Sequence, residues 1–437
     1  MLTGRSPAGG LGGWPSQRAS LAVKANCPAC WQLWAGGHQR GGPNKFSEGP
    51  ARARSHEGCA LLSSLIQRTD YPTLQESVYL NQASLGLIGN PAVDAMHDLL
   101  DRVARHGNLR MSDEDEVAFL DGLRERAARL LMVEGFRVAI LSSASELLGQ
   151  APFLLSPRRG SKVIAVATDF PAITRPWLRL AESGECLVEF VEDRPESDLT
   201  ADVVARIDAR TSVVAVGWVQ YATGTVIDVP RLRAATEQAG VRLVLDATQG
   251  AGAMTCDASA WRPDLVVSSG YKWLGGHGGV AIGALAPDLI VQTPPLPGWM
   301  GAASPFAFDA TRLPLAEGAR RFTQSTMSYI SVVGLTTAMD RLLAIGLDRV
   351  ERHATRLHDL LLDAVEDRGW QPFRNRADPT AAQHIVSLGR RARLSTEAIT
   401  KLRRAKIVCS TRGNRLRVSL APYNNEDDID ALAGALS

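Results

Sequence analysis

From residue 76 onward the apolar positions fall into two alternating patterns. Short runs at 138–141, 162–166, 187–191, 212–216, 242–245 and 265–267 are almost wholly apolar and rich in branched side chains, as buried strands are. Between most of them, residues 144–155, 171–183, 200–208 and 229–239 carry apolar side chains at helical spacing. Two helices are predicted ahead of the first strand. One spans 91–106 and opens with proline, whose missing N–H is no loss in a first turn. The other spans 113–132 and opens with four acidic residues, which suit the positive end of a helix dipole. Apolar strands alternating with helices predict an α/β fold whose mostly parallel sheet is covered on both faces.

After about residue 320 the order changes. A long helical region at 331–368 precedes strands at 383–388 and 406–409, with a helix at 395–404 between them. A strand at 416–420 and an amphipathic helix at 425–436 close the chain. The expected organisation is a large α/β domain over 76–320 and a smaller α+β domain over 321–437. Residues 1–65 lack hydrophobic periodicity and are expected to be a poorly ordered extension. The first 50 residues hold 10 of the 39 glycines and no acidic residue before Glu48, a composition shared by transit peptides and by translated leaders.

Composition adds exclusions. The 437 residues include 48 basic and 46 acidic side chains, a formal charge of +2, which speaks against a polybasic nucleic-acid partner. No apolar run approaches the roughly 18 residues of a membrane span, so no membrane partner is expected. Six scattered cysteines do not make a disulfide framework and fit a reducing, cytoplasmic compartment. Cys27 and Cys30 have the spacing of half a zinc site, but no second ligand pair follows at a suitable distance, and no metal is expected.

In open parallel sheets, ligands bind at the carboxyl ends of strands. The predicted strand ending near residue 245 runs into Asp246, and the next runs into Ser268, Ser269, Gly270, Tyr271 and Lys272. A lysine at a buried strand end loses solvation and becomes a candidate for Schiff-base chemistry. A carboxylate on the neighbouring strand end completes the pair that pyridoxal 5'-phosphate needs: the lysine holds the aldehyde and the carboxylate keeps the pyridine nitrogen protonated. Taken alone, Asp246 would more often be a turn or cap carboxylate.

Eight motifs occur in one order: Tyr79-Leu-Asn-Gln-Ala-Ser-Leu-Gly86, Ser142-Ser-Ala-Ser-Glu146, Asp169-Phe-Pro171, Val219-Gln-Tyr-Ala-Thr-Gly224, Asp246-Ala-Thr-Gln249, Ser269-Gly-Tyr-Lys272, Arg321-Phe-Thr-Gln-Ser-Thr326 and Arg417-Val-Ser-Leu-Ala-Pro-Tyr-Asn424. With them the chain resembles the class V aminotransferase superfamily of fold-type-I pyridoxal phosphate enzymes, a group that includes cysteine desulfurases, isopenicillin N epimerase-like proteins and kynureninases. The resemblance implies that Lys272 is the Schiff-base lysine and proton shuttle, and that Asp246 is the pyridinium partner. Gln249 matches the position that contacts the ring hydroxyl, and Phe170 the one stacked on the ring. Ser143, Ala144 and Ser145 match the phosphate loop, with Ser269 and Tyr271 as further phosphate contacts. Thr326 matches a residue that reaches the neighbouring subunit's cofactor, which implies a homodimer with shared active sites. Arg417 matches the arginine that binds the substrate α-carboxylate; its structural alternative is a carboxylate partner such as Asp427 or Asp428.

Departures from the desulfurase pattern narrow the reading. The loop before Arg417 is too short to carry a nucleophilic cysteine, and Cys409 sits in strand-like sequence, where it is expected to be buried and inert. Tyr221 replaces the desulfurase asparagine near the ring, and Phe170 replaces the stacking histidine. The short Arg-Gly-Asn turn at 412–414 is similar to the isopenicillin epimerase-like branch. The resemblance implies an enzyme acting on an amino acid or amino-acid-like small molecule. Amino-group transfer is the first expectation, C–S or other β-elimination the second and epimerisation the third. A catalytically inactive cofactor-binding scaffold is the alternative from another class, and Lys272, Asp246 and Arg417 together argue against it. A nucleotide-binding α/β protein is disfavoured because no phosphate-binding glycine motif follows a strand.

Overall fold

The computed structural model describes residues 62–391 and 394–437. Cys27, Cys30 and most of the expected extension, residues 1–61, lie outside them. Leu62 to Leu65, counted in that extension, are instead bonded to the C-terminal part of the chain. The Leu62 N–H donates to Glu426 Oε2 at 3.0 Å, and the Leu65 N–H to the Pro422 carbonyl at 2.8 Å.

Thirteen strands occur among the described residues. They are β1 (Val78–Tyr79), β2 (Val138–Leu141), β3 (Ser161–Val166), β4 (Cys186–Val191), β5 (Thr211–Gly217), β6 (Arg242–Asp246), β7 (Leu265–Ser269), β8 (Ala281–Leu285), β9 (Gln371–Pro372), β10 (Ile385–Gly389), β11 (Ile407–Val408), β12 (Ser410–Arg412) and β13 (Arg415–Ser419). Seven form the main sheet in the order β2-β8-β7-β6-β5-β3-β4, and only β8 runs against the rest. β8 was not among the predicted strands. Its sequence, Ala-Ile-Gly-Ala-Leu, has no branched alternation, and it becomes a strand because β2 and β7 flank it on both sides.

Both faces of the sheet are covered, as the apolar runs predict. Val214, Val216, Leu243 and Leu245 enter one core, while Val213, Ala215 and Val244 enter the core on the opposite face. That is the period-2 alternation of a strand with no solvent side. The strand order reverses between β3 and β5: the chain leaves β3 for the edge strand β4 and returns to the other side of β3. Such a switch point opens a crevice at the strand ends.

Two predicted helices are each divided. Residues 113–132 form Asp113–Ala118, closed by a Ser112/Asp115 capping box, and Asp121–Leu131. The break lets Phe119 meet the Tyr329 ring at 4.6 Å and buries Leu120. Residues 331–368 form Tyr329–Ile345 and Leu347–Val365, bent by 77° at Gly346, whose φ of +88° suits a residue without a Cβ. The first of these two helices packs into the main core through Val332, Leu335, Met339 and Leu342. Among the described residues no single helix is long and apolar enough to cross a membrane.

The second sheet is antiparallel, in the order β12-β13-β10-β9, and packs on Leu357, Leu361, Val365, Trp370 and Ile429. The predicted strand at 406–409 is β11, which pairs with β1, while the unpredicted β12 follows it and pairs with β13. A buried ion pair ties this sheet to the main one. Arg374, just after β9, donates to Asp193 Oδ1 at 2.7 Å and to Thr225 Oγ1 at 2.9 Å. Asp193 also accepts from Thr223 and Thr225. Removing one member of a buried pair strands the other charge, so Asp193→Ala should lower unfolding stability by about 3–5 kcal/mol in a denaturant titration.

Candidate active site at the strand ends

The crevice at the β3/β5 switch point continues past the ends of β6 and β7 as a pocket of about 200 Å³. Asp246, the last residue of β6, lies in its wall. Burial raises the Asp246 pKa, opposed by hydrogen bonds from Thr248 and by the charge of Lys272; its Oδ1 accepts from the Thr248 N–H at 2.9 Å. Lys272 is 5% exposed, three residues past β7. Burial lowers its pKa to about 8, partly offset by Asp246, with Arg417 and Arg412 adding to the fall. Its Nζ lies 5.3 Å from the centre of the Phe170 ring.

The backbone around Lys272 is held from a distant segment. Gln82 Nε2 donates to the Lys272 carbonyl at 2.8 Å, and the Gly86 N–H donates to the Tyr271 carbonyl at 2.9 Å. Gln249 faces the same pocket, but its side chain is already engaged: it accepts from Trp273 Nε1 at 2.9 Å and donates to the Ala83 carbonyl at 3.0 Å. A contact from Gln249 to a ring hydroxyl would use its second amide hydrogen or the second lone pair of Oε1.

Ser143 caps the helix Ala144–Leu155 by accepting from the Glu146 N–H. Together with Ala144 and Ser145 it turns a helix N-terminus, a place that favours anions, toward the pocket. Ser269 and Tyr271 line the same pocket. So do Phe170, 41% exposed, and Tyr221, whose ring meets it edge-on at 5.5 Å.

Two of the expected residues lie outside this lining. Thr326 is exposed, just before the helix Tyr329–Ile345. Arg417 is fully buried on β13 and reaches the site's edge by donating to the Tyr221 carbonyl at 2.7 Å, to Ser410 Oγ at 3.1 Å and to Ser84 Oγ. The alternative partners do not meet it. Asp428 pairs with Arg68 at 2.7 Å, and Asp427 accepts from Asn425. Among the described residues Arg417 has no carboxylate partner, and burial together with the Arg412 charge lowers its pKa to about 9. Cys409 is half-buried rather than fully buried, between β11 and β12, and burial pushes its thiol up to about 12.

The sequence reading missed Asp169 as a site residue. Its carboxylate follows β3 and accepts from the Gly217 N–H at 2.5 Å and from the Phe170 N–H at 3.0 Å. A Cβ at Gly217 would run into that carboxylate, so the last residue of β5 must be glycine for Asp169 to sit there. Burial, assisted by Asp246, raises the Asp169 pKa to about 7 against its hydrogen bonds. The Asp169-Phe-Pro171 motif carries the signal, a carboxylate shortly after an apolar strand.

The model of a family described as aminotransferase class-V matches residues 78–432. An uncharacterized aminotransferase of Bacillus subtilis is 26% identical over 379 residues, which cover 82% of this chain and 93% of the relative. A probable cysteine desulfurase of Aeropyrum pernix is 29% identical over 339 residues, 74% of this chain and 81% of the relative. Among solved structures, a C-DES variant with glycine covalently linked to its pyridoxal phosphate superposes with a TM-score of 0.77 at 19% identity, over 85% of this chain and 99% of that one.

The Lys272 shift carries a pH signature. Its pKa of about 8 in the fold lies below the ordinary 10.5. The native state therefore binds fewer protons than the unfolded chain between those values, and stability rises with pH across that window. Below about pH 8 the full cost of the buried ammonium applies. Cofactor-free Lys272→Met should unfold at a higher temperature than cofactor-free wild type near pH 7, by at most about 3 kcal/mol in stability, and the gap should close toward pH 10.

Proposed function

Because the chain belongs to the aminotransferase class-V family of pyridoxal-phosphate-dependent enzymes, we propose that it transfers the amino group of an α-amino acid bearing a free α-carboxylate, as a homodimer. The observation that carries the substrate class is Arg417. A fully buried guanidinium held only by neutral acceptors keeps its charge for an anion that arrives from outside. Its planar fork suits a planar carboxylate. Its hydrogen bond to the Tyr221 carbonyl brings it to the edge of the pocket that Lys272 lines.

The pocket's own residues fit the cofactor. A buried lysine with a lowered pKa, a buried carboxylate on the neighbouring strand and a helix N-terminus match an aldehyde, a pyridine nitrogen and a phosphate. When bound, pyridoxal phosphate supplies an electron-withdrawing ring that stabilises negative charge at the substrate α-carbon. Asp246 would hold the ring nitrogen protonated, while Ser143, Ala144, Ser145, Ser269 and Tyr271 would hold the phosphate. Phe170 and Tyr221 line the pocket with two aromatic rings, against which the cofactor ring would rest. Lys272 Nζ, with a pKa close to working pH, can accept a proton from the α-carbon and return it elsewhere.

Two observations support transfer over persulfide chemistry. The Cys409 thiol is pushed up to about 12, far from a reactive thiolate, and the short β12–β13 hairpin leaves no mobile loop to deliver it. Support for the dimer comes from the surface near Thr326. Gly298 packs against Gln324, and Trp299, Phe306 and Phe308 form a partly exposed aromatic cluster beside it. An apolar surface of this kind suits a subunit interface.

Lys272→Ala should remove the visible absorption of lysine-bound cofactor and all turnover while far-ultraviolet circular dichroism is retained. Transfer itself is tested by following ¹⁵N from an amino acid to a 2-oxo acid. Release of ammonia or sulfide without such transfer would overturn the reading. Arg417→Ala should lower kcat/KM by about 10- to 150-fold, the equivalent of about 1.5–3 kcal/mol for a charge-assisted contact. Arg417→Lys should also be impaired, because a single ammonium lacks the fork.

A further inference from the structure

Arg417 is not alone at the edge of the pocket. In the β12–β13 hairpin Ser410 is opposite Arg417 and Arg412 is opposite Arg415, so pleat parity places three arginines and Ser410 on one face. Arg415 turns away from the site. It donates to the carbonyls of Ser387 and Gln371 at 2.7 and 2.8 Å, and its guanidinium lies over the Phe373 ring at 5.4 Å. Arg412 turns the other way. Its Nη2 donates to Ser84 Oγ at 3.2 Å, the hydroxyl that also accepts from Arg417. Its guanidinium lies 5.9 Å from the centre of the Tyr221 ring, which lines the pocket.

The two guanidiniums therefore converge on one neutral hydroxyl. Among the described residues neither is paired with a carboxylate, and the remaining Arg412 contact is to the Thr411 carbonyl at 2.8 Å. Each depresses the protonated form of Lys272, and Arg412 does the same to Arg417. Like charges placed together without a counter-ion are costly. One α-carboxylate would answer one of them. Arg412 is only partly buried and lies beside Tyr221, a residue of the pocket lining, which leaves its charge for a second anion.

We propose that Arg412 is a specificity-determining residue that binds a second carboxylate, so that the enzyme's substrates are α-amino acids with an acidic side chain. The inference rests on the amino-acid reading of the site given above. Arg417 takes the α-carboxylate and Arg412 the side-chain carboxylate, with Ser84 fixing the spacing between the two forks. Tyr221 backs the Arg412 guanidinium through its ring face, which favours a cation there.

The test uses the pyridoxal-phosphate-loaded enzyme. Spectral titrations of the bound cofactor compare aspartate with asparagine and glutamate with glutamine, in wild type and in Arg412→Gln, which keeps a donor for Ser84 but loses the charge. Wild type should bind an acid at least about tenfold more tightly than its amide, the scale of one charge-assisted contact. Arg412→Gln should abolish that preference, the acid losing at least about tenfold more affinity than the amide does. A second readout needs no amino group: succinate or glutarate should raise the melting temperature of the wild type more than butyrate does, and Arg412→Gln should erase the difference. An absent acid preference, a preference that survives Arg412→Gln, or an equal loss for acid and amide would overturn the proposal and leave the amino-acid reading intact. If no amino acid of either kind perturbs the cofactor, that broader reading falls and takes this one with it.

Discussion

An ammonium group removed from water is the constraint around which the site is arranged. Moving such a charge into a protein interior costs several kcal/mol unless opposite charge is supplied. Asp246 supplies it at the end of the neighbouring strand, yet the Lys272 pKa still falls to about 8. Burial outweighs the attraction of Asp246, and the charges of Arg417 and Arg412 add to the fall. The result is an amine that shares its proton readily near neutral pH, which nucleophilic and proton-transfer roles both require. Asp246 is subject to the mirrored balance: burial raises its pKa and Lys272 lowers it.

Holding these groups in place falls to the backbone as much as to the sheet. The segment Tyr79–Gly86 is bonded both to the backbone beside Lys272 and to the strand that carries Arg417. The Ser419 N–H donates to the Leu80 carbonyl, Gln82 holds the Lys272 carbonyl, Ala83 accepts from Gln249, and Ser84 accepts from Arg417 and Arg412. Gln82 is fixed in turn, because its Oε1 accepts from Tyr423 and from the Leu87 N–H. A short stretch of chain thus couples the position of the lysine to that of the arginines on the second sheet. Movement of one sheet against the other would be felt at both.

Much of this organisation could be read along the chain. Fully apolar strands with two buried faces leave a strong local imprint, and the positions 138–141, 162–166 and 242–245 became strands within a residue or so of the expected ends. Asp246 and Lys272 were legible because a charged residue at or shortly past the end of an apolar strand has few structural uses and a clear chemical one. Helix breaks were less legible. The divisions at Phe119 and Gly346 depend on which core each half packs into, and periodicity does not register that. β8 is the clearest case: a run of small apolar residues is ambiguous alone and becomes a strand only when two neighbours leave a gap of one strand's width.

The amino-acid sequence by itself determined the α/β layering, the strand ends that carry the lysine and the aspartate, and the helix N-terminus beside them. Each follows from residues within a few positions of one another, where spacing and side-chain type are direct physical signals. Tertiary structure alone decided the rest. Asp169 became a site carboxylate because Gly217, 48 residues away, leaves space for it. The Ser84 hydroxyl met Arg417 across 333 residues, and Arg412 and Arg415, three residues apart on one face, turned to opposite sides. Such choices depend on which distant backbone atoms are left to accept a hydrogen bond once both sheets have packed, and no local pattern encodes that.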